Sequence, residues 1–294
     1  MSPGASDGVR GLAVPHGVPS WIVSTSSRDR PDRAAPTDAR QAAGRALSFG
    51  AVASAYERFR PGYPEELVDQ VLAYAGRPVR TALEIGAGTG KATRVFARRG
   101  IAVTATDPDP QMLAELRRHV PANVTAVRAA LEDLPPTPTH DLVLAAVAFH
   151  WTDPEGRCAR VADLLGAGGV FASFGGPFTL RDPGVAEAVR AVRARFLADD
   201  GVPSPDGTPA DSAMQWPGTE LIRSGLFVDV RQSLVEHRLQ LKAHDYIGHL
   251  STVSAYRMLP DPVRRTALDR ILEVLPPRVT LIADLTIHLA RKLG

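Results

Sequence analysis

Between residues 81 and 174, short apolar runs alternate with amphipathic stretches of helical spacing, and this alternation constrains the fold more than any other feature of the chain. Strands are expected over 81–85, 102–106, 124–127, 141–146 and 170–174, and helices over 91–99, 110–120 and 154–165. A helix between two strands carries the chain back along the sheet face, so the second strand runs parallel to the first. The segment predicts an α/β fold with helices on both faces of a mostly parallel sheet.

The flanks read differently. Residues 1–45 are crowded with Pro, Gly, Ser, Arg and Asp, show neither periodicity, and are expected to form a disordered leader. Order is expected from Phe49, where FGAVASAYERF has helical spacing; a Pro-Gly-Tyr-Pro turn at 61–64 separates it from a second helix over 64–74. Beyond Gly176 a helix over 184–197 leads into the Pro/Gly/Asp-rich stretch 198–218, read as a long loop. Two long strand-like segments, 228–241 and 279–290, bracket helical runs over 243–258 and 261–275. They predict an antiparallel edge pair with a helical insertion in its connection.

Charge and composition narrow the function classes. The 34 basic and 32 acidic residues leave a formal net charge of +2, too little to hold nucleic acid or an anionic membrane, so a small-molecule substrate is the expectation. Cys158 is the only cysteine, which rules out an internal disulfide framework and a cysteine-rich zinc site. No His/Asp/Glu spacing suggests another metal site. No run approaches the roughly 18 apolar residues of a membrane span, and the first 30 residues lack a signal-peptide pattern, which points to the cytoplasm. Monomer and homodimer are equally compatible with the sequence.

The stretch ALEIGAGTGKAT at 82–93 places Gly86, Gly88 and Gly90 after the first strand. A dinucleotide fingerprint would need a small residue where Lys91 stands. A P-loop would need glycine at Ile85 and a hydroxyl at Ala92. What remains is an apolar strand, the acidic Glu84 and three alternate glycines that let backbone approach a ligand closely. Glu84 opposes pyrophosphate and suits a cationic amino group. Asp107 ends the second strand, 21 residues after Gly86, where its carboxylate suits ribose hydroxyls. The implied ligand joins a free ribose to an amine.

These residues sit in an ordered series. AYERFRPGYP, ALEIGAGTGKAT, VTATDPDPQML, LEDLP, THDLVLAAVAFHW and LLGAGGVFASF follow one another over about 49–175. The series resembles the class I S-adenosylmethionine-dependent methyltransferases, within them the type 11 and trans-aconitate-like small-molecule group. The resemblance implies a Rossmann-like, mostly parallel seven-stranded sheet with helices on both faces, an antiparallel edge hairpin and helical lid insertions. It implies one methyltransferase domain over 46–294, with core 77–176, edge strands 228–241 and 279–290, and lid or substrate segments 46–64, 177–227 and 243–276. S-adenosylmethionine is the implied cofactor. Gly86, Gly88 and Gly90 would border its methionine part, Glu84 its amino group, Tyr56 and Arg60 its carboxylate, and Asp107 its ribose. Met112 and Leu131 would line the adenine, Glu132 would fix that loop, and Ala146 would lie beside the sulfonium. Ala130 stands where many relatives carry an acid toward the adenine amine, which leaves that recognition to backbone and packing.

His150 follows the fourth strand, where ligands gather in open α/β sheets, and its ordinary pKa suits a general base. The alternative is that His150 and Trp151 cap a loop and pack on the following helix. Trp151 reads as a pocket wall. The segment ending AFHW lacks the Asn/Asp-Pro-Pro-Tyr/Phe pattern of exocyclic-amine nucleic-acid methyltransferases. Tyr246, His249, Val253 and Tyr256 share one helical face, which reads as a core stripe or, if the segment is a lid, as substrate lining. The functional expectation is methyl transfer to a small-molecule O, N or C acceptor in bacterial metabolism by in-line displacement. The rival is a protein of the same fold that binds the cofactor without methylating.

Overall fold

The computed structural model describes residues 47–136, 140–197, 204–209 and 211–294; the leader expected over 1–45 lies outside them. Two helices, α1 (Ala53–Phe59) and α2 (Glu65–Ala75), precede the alternating core. The core runs β1 (Thr81–Ile85), α3 (Lys91–Ala97), β2 (Ala102–Asp107), α4 (Pro110–Leu116), β3 (Val124–Arg128), β4 (His140–Ala146), α5 (Arg157–Leu164) and β5 (Leu165–Gly175). These five strands pair in parallel in the order β3-β2-β1-β4-β5. Strand alternation explains why the central strands are apolar on both faces. Ala82, Leu142, Leu144 and Phe174 face one core with Leu67, Val71 and Phe96 of α2 and α3, while Leu83, Ile85, Val143 and Phe171 face another with Val161 and Leu164 of α5.

The sheet is completed by β7 (Phe227–Val235) and β10 (Leu285–Lys292), antiparallel, in the order β5-β10-β7. The seven-stranded, mostly parallel sheet agrees with the expectation. The chain leaves β1 toward β2 and β3, then crosses back to β4, so β1 and β4 flank the switch point at which open α/β sheets bind ligands.

Both long edge segments differ from the expectation. The run 228–241 is two strands, β7 and β8 (Arg238–Lys242), and 279–290 is likewise β9 (Arg278–Ile282) and β10. With β6 (Thr179–Leu180), β8 and β9 form a second, three-stranded antiparallel sheet. Both segments change sheet together at one crossing. There the Asp284 carboxylate accepts the His237 N–H at 2.9 Å and pairs with Arg238, and the Ala283 N–H donates to the His237 carbonyl at 2.9 Å. Gly176 passes the same point so closely that a Cβ would lie 1.9 Å from the Asp284 carbonyl oxygen.

On the small sheet sit α6 (Pro183–Arg193), α8 (Ala243–Ser251), α9 (Ser254–Arg257) and α10 (Asp261–Val274). They share a core of Val189, Tyr246, Leu250, Tyr256, Leu268, Ile271, Val279 and Leu281, and together form a cap. The helical run expected over 243–258 breaks at Thr252, whose N–H and Oγ1–H both return to the His249 carbonyl, at 3.0 and 2.7 Å. A further helix, α7 (Gly218–Ser224), starts at the end of the stretch read as loop, and its Leu221 packs with Phe227 in the core of the main sheet. No helix among the described residues is long and apolar enough to cross a membrane.

Candidate active site

The chain turns out of β1 through Gly86, Gly88 and Gly90, all at positive φ. At Gly86 (φ +63°) a Cβ would lie 2.6 Å from the Ala148 Cβ; at Gly88 (φ +55°) it would meet nothing within 4 Å. Gly86 therefore admits a neighbouring chain, whereas Gly88 keeps an open face. Asp107 holds the loop: its carboxylate accepts the Gly88 N–H at 2.8 Å and the Asp109 N–H at 2.9 Å.

Beside this loop lies a cavity of about 310 Å³. Its core wall contains Glu84, Gly86, Gly88, Ala146 and Val147; Tyr56, Arg60 and Tyr63 come from α1 and the turn after it; Arg193, His237, Tyr246, His249 and Tyr256 come from the cap side. The structure thus joins ten of the residues singled out from the sequence: Tyr56, Arg60, Glu84, Gly86, Gly88, Ala146, Tyr246, His249, Val253 and Tyr256.

The others lie off the lining. Gly90 turns toward Leu116 and Val120. Asp107 sits beneath the loop it holds, and Met112 and Leu131 are buried. Glu132 accepts the Asp153 N–H at 2.7 Å, tying its turn to the segment after Trp151. His150, placed at the substrate by sequence reasoning, is exposed on a short 3-10 turn (Phe149–Trp151) outside the lining, its ring 4.6 Å from that of Trp151. Trp151 is also off the lining and packs edge-on to Phe49. A left-handed turn at Val147 (φ +54°) directs this segment away from the cavity and over Gly86. That conformation is strained for a β-branched residue, and Gly175 accommodates it, since a Cβ there would lie 2.7 Å from Val147 Cγ2.

Burial governs the electrostatics. Glu84 is 1% exposed; burial raises its carboxyl to about 8, against a 2.6 Å hydrogen bond from Thr93 Oγ1 that lowers it. Burial also pushes His249 down to about 3, with the Arg60 charge adding to the effect, and a backbone hydrogen bond to Phe59 opposing it. Tyr246 is raised by burial to about 12.

Several contacts carried no local sequence signal. Lys91 Nζ lies 3.5 Å from the Glu57 carboxylate and donates to the Glu57 carbonyl at 2.6 Å, while Arg94 pairs with the same carboxylate at 2.8 Å. These bonds pin α1 to the helix that follows the glycine loop. Arg60 Nε donates to Thr252 Oγ1 at 2.9 Å and Arg60 Nη2 to the Thr252 carbonyl at 3.0 Å, joining α1 to the cap. No group of three or more potential metal ligands comes together among the described residues.

A mostly parallel sheet with a glycine loop and a buried acid at its switch point, closed by a cap, defines a Rossmann-like fold. Comparison with known proteins specifies the class further. The family described as "Methyltransferase domain" matches residues 82–169. An uncharacterised methyltransferase of Mycobacterium tuberculosis is 34% identical over 230 residues, 78% of this chain and 86% of the relative. A trans-aconitate 2-methyltransferase of the same species is 28% identical over 235 residues, 75% of this chain and 85% of that one. Among solved structures, a protein described as a type II methyltransferase from Anaeromyxobacter dehalogenans matches with a TM-score of 0.52 and 26% identity, over 79% of this chain and 98% of that one. The chain belongs to the class I S-adenosylmethionine-dependent methyltransferases.

Proposed function

We propose that the protein transfers a methyl group from S-adenosylmethionine to a small-molecule acceptor held between the glycine loop and the cap. The observation that carries this reading is the shared cavity: Glu84, Gly86 and Gly88 on one wall, Tyr246, His249 and Tyr256 on another. The residues suit the cofactor. Gly88 has no atom within 4 Å of where a Cβ would stand, and the buried Glu84 carboxylate matches an amino group. Bound there, the cofactor supplies an electrophilic methyl on a sulfonium.

The chain's own work is to hold and to dry. Glu84 takes the amino group, Tyr56 and Arg60 the carboxylate, and the backbone of Gly86, Gly88 and Gly90 the methionine chain. Asp107 offers its remaining lone pairs to the ribose, Met112 and Leu131 wall the adenine, and Glu132 fixes the adjoining turn. Ala146 closes the end where the methyl lies. Tyr246, His249 and Tyr256 exclude water from the acceptor, so the enzyme accelerates transfer mainly by alignment. His249, held near 3, stays neutral and takes no proton at physiological pH. His150 is the sequence's candidate base and Trp151 its neighbouring wall; a His150→Ala variant with undiminished turnover removes that assignment.

The relative acting on trans-aconitate supports a small organic molecule as acceptor. Calorimetric titration with S-adenosylmethionine, followed by acceptor-dependent formation of S-adenosylhomocysteine, tests the reading. Absence of cofactor binding sinks it.

A further inference from the structure

Val147 stands where the chain leaves β4, with its backbone left-handed at φ +54°. Among the described residues, Asp229 is the only other non-glycine residue at positive φ, and a short polar side chain tolerates that region whereas a β-branched one does not. Burial does not offset the strain. Ala146 and Ala148 on either side pack into the two cores of the main sheet, yet Val147 is 48% exposed.

The position also has a direction. One edge of β4 pairs with β1, which carries Glu84 and leads into the glycine loop, and the other pairs with β5. The Val147 N–H donates to the Phe174 carbonyl of β5 at 2.9 Å, and Val147 Cγ2 lies over Gly175, where a Cβ would come within 2.7 Å of it. Val147 therefore lines the cavity on the side of β4 away from the glycine loop. From Gly175 the chain runs on through Pro177 to Phe178, both on the lining, and Phe178 packs against the cap core that contains Leu250. Leu250 and Val253 continue this wall, and His249, its ring 4.7 Å from that of Phe178, stays uncharged.

We propose that Val147 is the seat of the methyl acceptor, and that the acceptor carries a compact hydrocarbon group, branched or cyclic, which covers it. The inference rests on the methyltransferase reading and adds the apolar side of the substrate to it. A hydrocarbon group moved from water onto Val147 and Phe178 gains free energy with the area covered. A polar group would lose its water there with no hydrogen bond in return, since neither side chain donates or accepts. The exposed valine and its strained backbone are thus explained together, as a wall whose contact is completed by ligand. Val147 acts as a specificity residue beside Ala146, where the reading above places the transferred methyl.

The test uses full-length protein saturated with S-adenosylhomocysteine, titrated calorimetrically with cyclohexanol and benzyl alcohol as hydrocarbon probes and with glycerol and succinate as polar ones. At least one hydrocarbon probe is expected to bind about fivefold tighter than either polar probe. Val147→Asn suits the left-handed backbone and should weaken that probe about fivefold or more, whereas Val147→Ile keeps the branched hydrocarbon and should hold affinity within about threefold. S-adenosylhomocysteine affinity should be unchanged in both variants. The denaturation midpoint of Val147→Asn should not fall, which separates a binding role from a packing one. Equal or tighter binding of the polar probes, wild-type probe affinity in Val147→Asn, a lowered midpoint in that variant, or no hydrocarbon binding by a protein that still binds S-adenosylhomocysteine overturns the proposal. Loss of S-adenosylhomocysteine binding in the wild type overturns the methyltransferase reading instead.

Discussion

Arg60 and Thr252, 192 residues apart in sequence, meet through two hydrogen bonds that join the end of α1 to the end of α8. Thr252 is fully buried, so its hydroxyl has no water to substitute for the guanidinium. Thr252→Val keeps the volume and removes two hydrogen bonds, the one accepted from Arg60 Nε and the one donated to the His249 carbonyl, which is expected to cost about 2 kcal/mol. Because Arg60 is then less well oriented, cofactor affinity should fall roughly three- to tenfold by calorimetry. Unchanged affinity would show that Arg60 does not depend on Thr252 for its position.

Glu84 should make cofactor binding pH-dependent. Its carboxyl is raised from 4.5 to about 8 on folding. A group raised in this way contributes stability that is complete below 4.5 and is lost as pH climbs through about 8. The cofactor-free protein should therefore lose melting temperature across that interval. An ammonium beside Glu84 favours the carboxylate, so binding at pH 7 should release about one proton, and affinity should rise with pH up to about 8. Calorimetry in buffers of different ionisation heat measures the release, and Glu84→Gln should abolish it.

Gly86 and Gly88 should respond differently to alanine. Both sit at positive φ, which costs an L-residue about 1–2 kcal/mol, but only at Gly86 does the new Cβ also strike Ala148. Gly88→Ala should fold with a small stability loss and weakened cofactor binding. Gly86→Ala should show the larger drop in denaturant midpoint, and the opposite ranking would contradict the loop geometry.

The buried Arg157 guanidinium pairs with Glu220 and lies over the rings of Phe149 and Trp216. Glu220→Ala leaves that cation buried without its partner and should destabilise by about 3 kcal/mol. The Arg157→Met/Glu220→Leu double variant should lose less. Chemical denaturation of the three proteins checks the order.

The parallel core was legible because its central strands are buried on both faces, so 142–145 reads as an unbroken apolar run and 82–85 as one interrupted only by Glu84. Glu84, Gly86 and Gly88 were legible because their spacing is local. The crossing between sheets was not, since no proline or glycine between Val235 and Arg238 marks where β7 ends and β8 begins. Helix α7 has seven residues, too few for a helical period to stand out beside prolines. The Glu57 pairing with Arg94 and the place of Arg193 depend on chain segments that meet only in the folded molecule. His150 was read from its strand, and the left-handed turn at Val147 that moves it off the cavity has no sequence mark.

Three segments of chain pass side by side where Gly176, His237 and Asp284 meet, and all three run on from the main sheet into the small one. Such a crossing acts as the spine of a book: cap and core cannot part there without breaking strands. On the other side of the cavity the seam between α1 and the cap is held by side chains instead, those of Arg60 and Thr252. If Arg60 also holds the cofactor's carboxylate, as proposed, the same arginine fastens cap to core and cofactor to site, so that filling the cofactor site would set the latch on the seam as well.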